Sequence, residues 1–523
     1  MSAVEELNDD EKHLASLGYT QELSRSWSGF SNFAISFSII SILAGCFTSF
    51  GLGWNNGGPA AIAWGWPIVS AFILIIGFCM SELVSAYPTS GGIYWWAAKL
   101  GGPKAGYYTG WLNLIGLIAI VASVAYGCAT FLDLTLQTFS KSWMDSYSLQ
   151  RVFLLFLGIL AVAALVNIFS SHLLAVINNI SVWWHVFGAA AVVLILIVVP
   201  DHHATFGEVF ARTINNSGLF GTATHGAGFL IFVLPIAAIL TQYTITGYDA
   251  SAHLSEETKS AANAAAKGIW QSIFYSAIGG WILLLTFLFA VKDADAVSAG
   301  GGAVYGIFTQ ALNSPWVGIV LLISTAGQFF CSMACMTSSS RMLFAFSRDR
   351  AVPGWQAWSK LNKNRVPANG VVLSAVIAAL ITAPALVEVK IPINGVDTPT
   401  PVAFFAVVSI GVVGLYLAFS VPIYYRWKAG ASFKVGSWNL GGKYRWMNPV
   451  AIIEIILTSI VALFPTSPGG VPWNDGFEWK YVNYTPLLVG GVLILLWVYW
   501  HASVKKWFTG PINQVQAAAS VVP

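Results

Sequence analysis

The chain has 523 residues, of which 56% are hydrophobic and 9% charged, with a net charge of +3 and a mean hydropathy of +0.70. A soluble domain carries roughly 25% charged residues, so this chain cannot cover itself in water, and its solvent is expected to be lipid. Composition therefore excludes a soluble enzyme, and the small net charge gives no reason to expect a nucleic acid partner. The 23 tryptophans suit the aromatic belts at the two edges of a bilayer. All five cysteines lie in apolar stretches, so no disulfide framework is expected.

The N-terminus, residues 1–29, is acidic and polar, lacks the apolar core of a signal peptide, and reads as a tail with a short amphipathic piece. A membrane span needs about 20 apolar residues. In chain order that predicts spans near 30–52, 60–87, 106–137, 151–170, 173–199, 226–256, 267–291, 315–347, 368–387, 401–425, 448–465 and 484–507, followed by a tail at 508–523. With the N-terminus inside, the 25 lysines and arginines divide 19 inside and 6 outside, the bias expected of cytoplasmic loops. Both termini are expected to be cytoplasmic.

Two spans carry an interruption. The first contains Ser41-Ile42-Leu43-Ala44-Gly45-Cys46, and the sixth contains Thr244-Ile245-Thr246-Gly247-Tyr248-Asp249. Glycine is the poorest helix former after proline, and threonine hydroxyls can satisfy backbone groups that a break sets free. Gly45 and Gly247 stand 202 residues apart, as do the first helices of two five-helix halves. Paired interruptions in corresponding positions point to a transporter's midplane site. Exposed amides there can bind a carboxylate and freed carbonyls an ammonium, which suits a zwitterion. The alternative is that these are small residues at helix contacts.

Five stretches carry a resemblance: LGYTQELSRSWSGFSNFAISFSIIS at 17–41, YPTSGGIYWWAAKLGGP at 87–103, TQYTITGYDASAHLSEET at 241–258, SSSRMLFAFSRDRAVP at 338–353 and KKWFTGPI at 505–512. With these, the chain resembles the amino acid–polyamine–organocation superfamily, and within it the branch of fungal GABA permeases, the plant bidirectional amino-acid transporter and fungal choline permeases. The resemblance implies an all-α polytopic membrane protein of about twelve helices. These form a LeuT-like pair of inverted five-helix repeats, at 30–200 and 226–425, with two extra helices at 448–507. It places the substrate between the first and sixth spans. Ala44, Gly45, Cys46 and Phe47 fall where the wider superfamily often has a Gly-Ser-Gly-type sequence, of which one glycine remains here.

The candidate substrate-binding residues are thus Ala44, Gly45, Cys46, Phe47, Tyr243, Thr246, Gly247 and Asp249. A charge at midplane is costly and needs a reason. Asp249 either meets a substrate ammonium or a proton, or caps the second half-helix by accepting backbone N–H bonds. The resemblance makes Tyr243 an outer gate; a packing tyrosine is the alternative. His185, inside the fifth span, is a candidate for proton coupling, falling where some proton-coupled relatives carry a lysine; otherwise it is a neutral ring bonded to a neighbouring carbonyl. Glu82 reads as a gate or cap, Glu256 and Glu257 as partners of the arginines at 341–350, and Glu454 as structural or an oligomer contact. Gln328 and the hydroxyls at 337–340 read as an ion-like site or as packing. No motif calls for a nucleotide, metal or other cofactor.

The expected function is secondary active transport of amino acids across the plasma membrane by alternating access, with GABA or related ω-amino acids as substrate and H+ as coupling ion. A choline or polyamine permease is the alternative within the fold. A membrane-embedded enzyme fits less well because no convergent catalytic groups are found at one depth, and a channel because the interrupted spans argue for a closed midplane site.

Overall fold

The computed structural model describes residues 8–387, 390–393, 396–399 and 402–519. The first seven residues of the expected N-terminal tail, the last four of the C-terminal one and the expected start of the tenth span at 401 lie outside the described residues. Among the described residues twelve helices are long and apolar enough to cross a membrane: Gly29–Thr48, Phe50–Ala86, Gly92–Phe139, Leu149–Phe169, Ser171–Val198, Gly226–Thr244, Ala261–Phe289, Ser314–Arg348, Ala368–Leu386, Ala406–Ser432, Gly441–Val461 and Thr485–Lys506. They agree with the expected spans in number and order. One exception to the helical architecture was not anticipated. Lys390–Ile393 and Val396–Pro399 pair antiparallel as a hairpin between the ninth and tenth spans, with Lys390 opposite Pro399.

Local chemistry sets many of the helix ends. Ser28, Ser148 and Ser170 cap the first, fourth and fifth spans, each hydroxyl accepting from the backbone N–H three residues on. The second and third helices run longer than expected because each holds a Gly-Pro step. Gly58 (φ +73°) before Pro59 and Gly102 (φ +84°) before Pro103 each separate a short leading helix from the span proper. The expected starts at 60 and 106 mark these kinks.

The third and eighth spans lie at the centre of the bundle, and the tenth packs along the third. The twelfth is mostly exposed, as a lipid-facing helix would be. Both chain ends meet at one end of the bundle, where the Gln514 amide donates to the Gly18 carbonyl at 2.8 Å. At the opposite end, connections fold over the bundle. Asn55 donates to the Gly301 carbonyl at 2.8 Å, and the Asn216 amide donates to the Asn55 carbonyl at the same distance.

Candidate functional site

The first span breaks earlier than the sequence suggests. Its helix ends at Ile39, Ile40 leaves the helical region, and Ser41 caps a second segment, Ile42–Thr48. Gly45 is therefore helical and does not cause the break. The Ala44 amide lies on the Ser41 hydroxyl at 3.0 Å and the Gly45 amide on the Ser41 carbonyl at 2.8 Å. These amides were expected to be free for a carboxylate, and a serine cap occupies them instead. Gly45 has another role: a Cβ there would come within 2.6 Å of the Thr244 Cβ, so its absence lets the two broken spans touch.

The sixth span breaks where expected. Its first part ends at Thr244, residues 245–249 are irregular, and a short helix resumes at Ala250–His253. Gly247 has φ +92°, a left-handed conformation that favours glycine, and a Cβ there would overlap the Ile39 side chain. The part of the first span before its break is bonded to the part of the sixth after its break. The Ser36 hydroxyl donates to the Tyr248 carbonyl at 2.8 Å, and Asn32 donates to the Ser251 carbonyl at 3.0 Å.

Between the breaks lies a cavity of ≈ 10 Å³ lined in part by Ser41, Ala44, Gly45, Tyr243, Thr244 and Thr246. That is room for about one water. Tyr243 spans it, its hydroxyl 3.0 Å from the Ser123 hydroxyl of the third span. Of the eight expected binding residues, Ala44, Gly45, Tyr243 and Thr246 line this space. Cys46 and Phe47 do not. Phe47 packs edge-on against Phe131 and Phe287, because consecutive helical residues point to different sides. Gly247 and Asp249 lie beyond the cavity wall.

Asp249 is fully buried and makes no capping bond. The capping alternative is corrected: its Oδ2 accepts from Asn113 at 3.2 Å and faces His253 Nε2 at 3.3 Å, while Oδ1 has no hydrogen-bond partner among the described residues. The other His253 nitrogen lies 3.0 Å from the Ser90 carbonyl, which can only accept, so that nitrogen carries a proton. Sequence reasoning missed His253 and Asn113; the i,i+4 spacing of Asp249 and His253 was the available signal.

His185 is buried against the first break. Its Nδ1 donates to the Ser181 carbonyl at 2.8 Å, and its Nε2 lies 2.6 Å from the Ser41 hydroxyl. In the neutral ring Nε2 accepts from that hydroxyl. The ring thus makes the bond to a neighbouring carbonyl that a purely structural histidine would make, and it also touches the break.

Buried ion pairs close the end of the bundle that holds the termini. Arg348 grips Glu256 through two nitrogens at 2.9 and 2.8 Å, Arg341 binds Glu257 at 2.8 Å, and Arg426 binds Glu82 at 2.7 Å. Burial pushes the Glu256 carboxyl up, but Arg348 and the Ser90 amide hold it below the ordinary range. The N-terminal segment lies across these pairs. The Trp27 amide donates to the Glu257 carbonyl at 2.9 Å, and the Tyr19 ring sits 3.9 Å from the Arg348 guanidinium. Asp349 accepts from Tyr19 at 2.7 Å, Tyr94 at 3.0 Å and the Ile512 amide at 3.0 Å, and so gathers both chain ends. Burial pushes its carboxyl up to about 6, against the Arg348 charge and these donors. Gln328 donates to Ser324 within the eighth span, whereas Thr337 donates to Asn167 and so ties the eighth span to the fourth.

Comparison with known proteins places this geometry in a wider group. Residues 28–494 match the family profile described as amino acid permease. The chain is similar to Amino-acid permease BAT1 of Arabidopsis thaliana, 34% identical over 98% of each chain. It is also similar to the BAT1 homolog of Oryza sativa subsp. japonica, 36% identical over 96% of this chain and 95% of that one. The GABA-specific permease of Saccharomyces cerevisiae is 28% identical over 98% of this chain and 88% of its own.

Proposed function

The chain belongs to the amino acid permease family, integral membrane transporters rather than enzymes, and from that premise we propose that it moves GABA or related ω-amino acids across the plasma membrane by alternating access, coupled to H+. The observation that carries this reading is the meeting of two broken spans at one closed cavity. Ala44 and Gly45 come from the first break and Tyr243, Thr244 and Thr246 from the sixth. The spans divide into repeats at 30–200 and 226–425, each opening on a broken helix, with 448–507 added outside. Both termini lie in the cytoplasm, so the ion pairs beneath the N-terminal segment form the inner closure and Tyr243 the outer one.

The polar contacts suggest how substrate and proton act together. A proton on His185 Nε2 turns that atom from acceptor to donor. The Ser41 O–H, on the cavity wall, is then released from the ring and can donate to a substrate carboxylate. Asp249, with one oxygen unpaired, meets the ammonium when the inner halves part. A second reading, a permease for choline or polyamines, is favoured by Asp249 alone, since such substrates present a cation and no carboxylate.

The test is a substrate panel in proteoliposomes, with pH and sodium gradients imposed separately. GABA or a related ω-amino acid should accumulate under an inward proton gradient, and His185→Gln should keep exchange while losing accumulation. Accumulation of choline or putrescine alone would move the substrate to the second reading. Unchanged pH-driven accumulation in His185→Gln would remove the histidine from coupling.

A further inference from the structure

The eleventh span lies outside the two proposed repeats, yet it reaches the sixth-span break. Near the middle of Tyr444–Val461, the Glu454 Oε1 accepts a hydrogen bond from the Gln242 side-chain amide and a second, at 3.0 Å, from the Thr458 hydroxyl. The Gln242 amide also donates to that hydroxyl oxygen at 2.9 Å. Gln242 stands on the half-helix Ile239–Thr244, which carries Tyr243 and Thr244 to the cavity.

This cluster is one hydrogen short. Two of its oxygens, Glu454 Oε2 and Gln242 Oε1, are buried and have no hydrogen-bond partner among the described residues. Both are acceptors, and neither the amide nor an ionised carboxylate has another hydrogen for them. Leaving such groups unpaired away from water is costly. A proton on Oε2 resolves both at once: rotation of the terminal groups then lets the acid donate to Gln242 Oε1 while Oε1 of the acid still accepts from the amide. Among the described residues no cation pairs with the carboxylate. The tenth span presents Tyr416, whose hydroxyl lies 3.4 Å from the Gln242 carbonyl. The sixth-span break presents Tyr248 and Asp249, with the Tyr248 ring on the same Phe419 as Tyr416. The titratable groups of the second span, Cys79 and Glu82, lie near its other end, where Glu82 pairs with Arg426.

We propose that Glu454 is a protonatable positioning residue: taking a proton from water, it clamps Gln242 and holds the outer half-helix of the sixth span over the cavity, and giving the proton back to water releases it. The inference rests on the transport reading. It adds to the His185 brace on the first break a second titratable brace, carried from outside the repeats, on the sixth.

Two measurements test it. Infrared difference spectra of the purified protein should contain a protonated-carboxyl band that vanishes as pH rises and is missing in Glu454→Gln. Substrate exchange at equal pH on both sides should change about tenfold across the pH range in which that band vanishes, a usual size for coupled sites. Glu454→Gln mimics the clamped pair with an amide and should flatten that profile. The swap Gln242→Glu with Glu454→Gln should restore it. If Glu454→Gln does not fold, Gln242→Ala should shift the same infrared band. A band and a pH profile that Glu454→Gln leaves unchanged would overturn the proposal. Should the protein exchange no amino acid at all, the transport reading fails, and the infrared arm alone still decides whether Glu454 holds the proton.

Discussion

Gly247 carries two constraints in one position. Its φ of +92° excludes most side chains, and its missing Cβ leaves room for Ile39 of the first span. A left-handed residue other than glycine costs about 1–2 kcal/mol, and the overlap with Ile39 adds to that. Gly247→Ala should therefore lower the melting temperature and abolish uptake. Adding Ile39→Ala should restore only part of the stability, because it removes the overlap and leaves the backbone strain. Full recovery in the double variant, read by thermal unfolding, would mean the conformation itself is unstrained. Asp249 and His253 illustrate the other residue-scale principle, that a buried charge must find a partner. Here the partner lies one helical turn on, and a third polar group, Asn113, comes from the third span.

The N-terminal segment around Tyr19–Trp27 behaves as a strap, held by the loop after the sixth span, the end of the eighth and the C-terminal segment. Asp349 is its titratable anchor, and the direction of its pH response follows from burial. With the strap in place the carboxyl is buried and stands at about 6, above its ordinary 3.8, so this enclosed form binds the proton more tightly. Protons therefore favour docking: the strap holds best below about pH 4 and loosens as pH rises through 6, by at most on the order of 3 kcal/mol. Glu256, held below 4.5, acts in the opposite sense but only at more acid pH. Amide hydrogen exchange in residues 17–28 should accelerate between pH 5 and 7.5 beyond the intrinsic chemical rate, by roughly tenfold if half of that energy is expressed. Asp349→Asn should remove the excess. An excess that survives the substitution would assign the response to another group.

Across the whole molecule, charge bias gives the orientation its test. Every native cysteine is buried and free, so single cysteines can be introduced as reporters on a quiet background. A cysteine at Trp473, which is 87% exposed, should react with an impermeant reagent added outside intact cells. A cysteine at Lys360 should react only after the membrane is opened. The reverse pattern would invert the topology and exchange the inner and outer closures. The two ends also differ in what shuts them. The end with the termini is closed by ion pairs and a strap, whereas Tyr243 and one bond to Ser123 lie across the cavity. Opening the former requires separating buried charges, each of which is expensive to leave alone.

The amino-acid sequence by itself determined that the chain lives in lipid, how many times it crosses, and which spans are interrupted. Those properties are local: apolar length is read against bilayer thickness, and Gly247 marks its break because only its own backbone has to adopt a left-handed turn. The pairing of Glu256 and Glu257 with the arginines at 341–350 was also legible, since buried charges of opposite sign have few places to go. The exact position of the first break was not. Gly45 looked like its cause, but Ser41 makes the break by capping the next segment, and Gly45 is there for Thr244, a neighbour 199 positions away in the sequence. The same distance hid which residues face the cavity, so that Phe47 was expected in the site and Ser41 was not. It also hid the reach of Glu454 to Gln242, because nothing in a helix's own sequence states which helix will lie against it. Only tertiary packing decides that, by bringing side chains far apart in the chain within a hydrogen bond of each other.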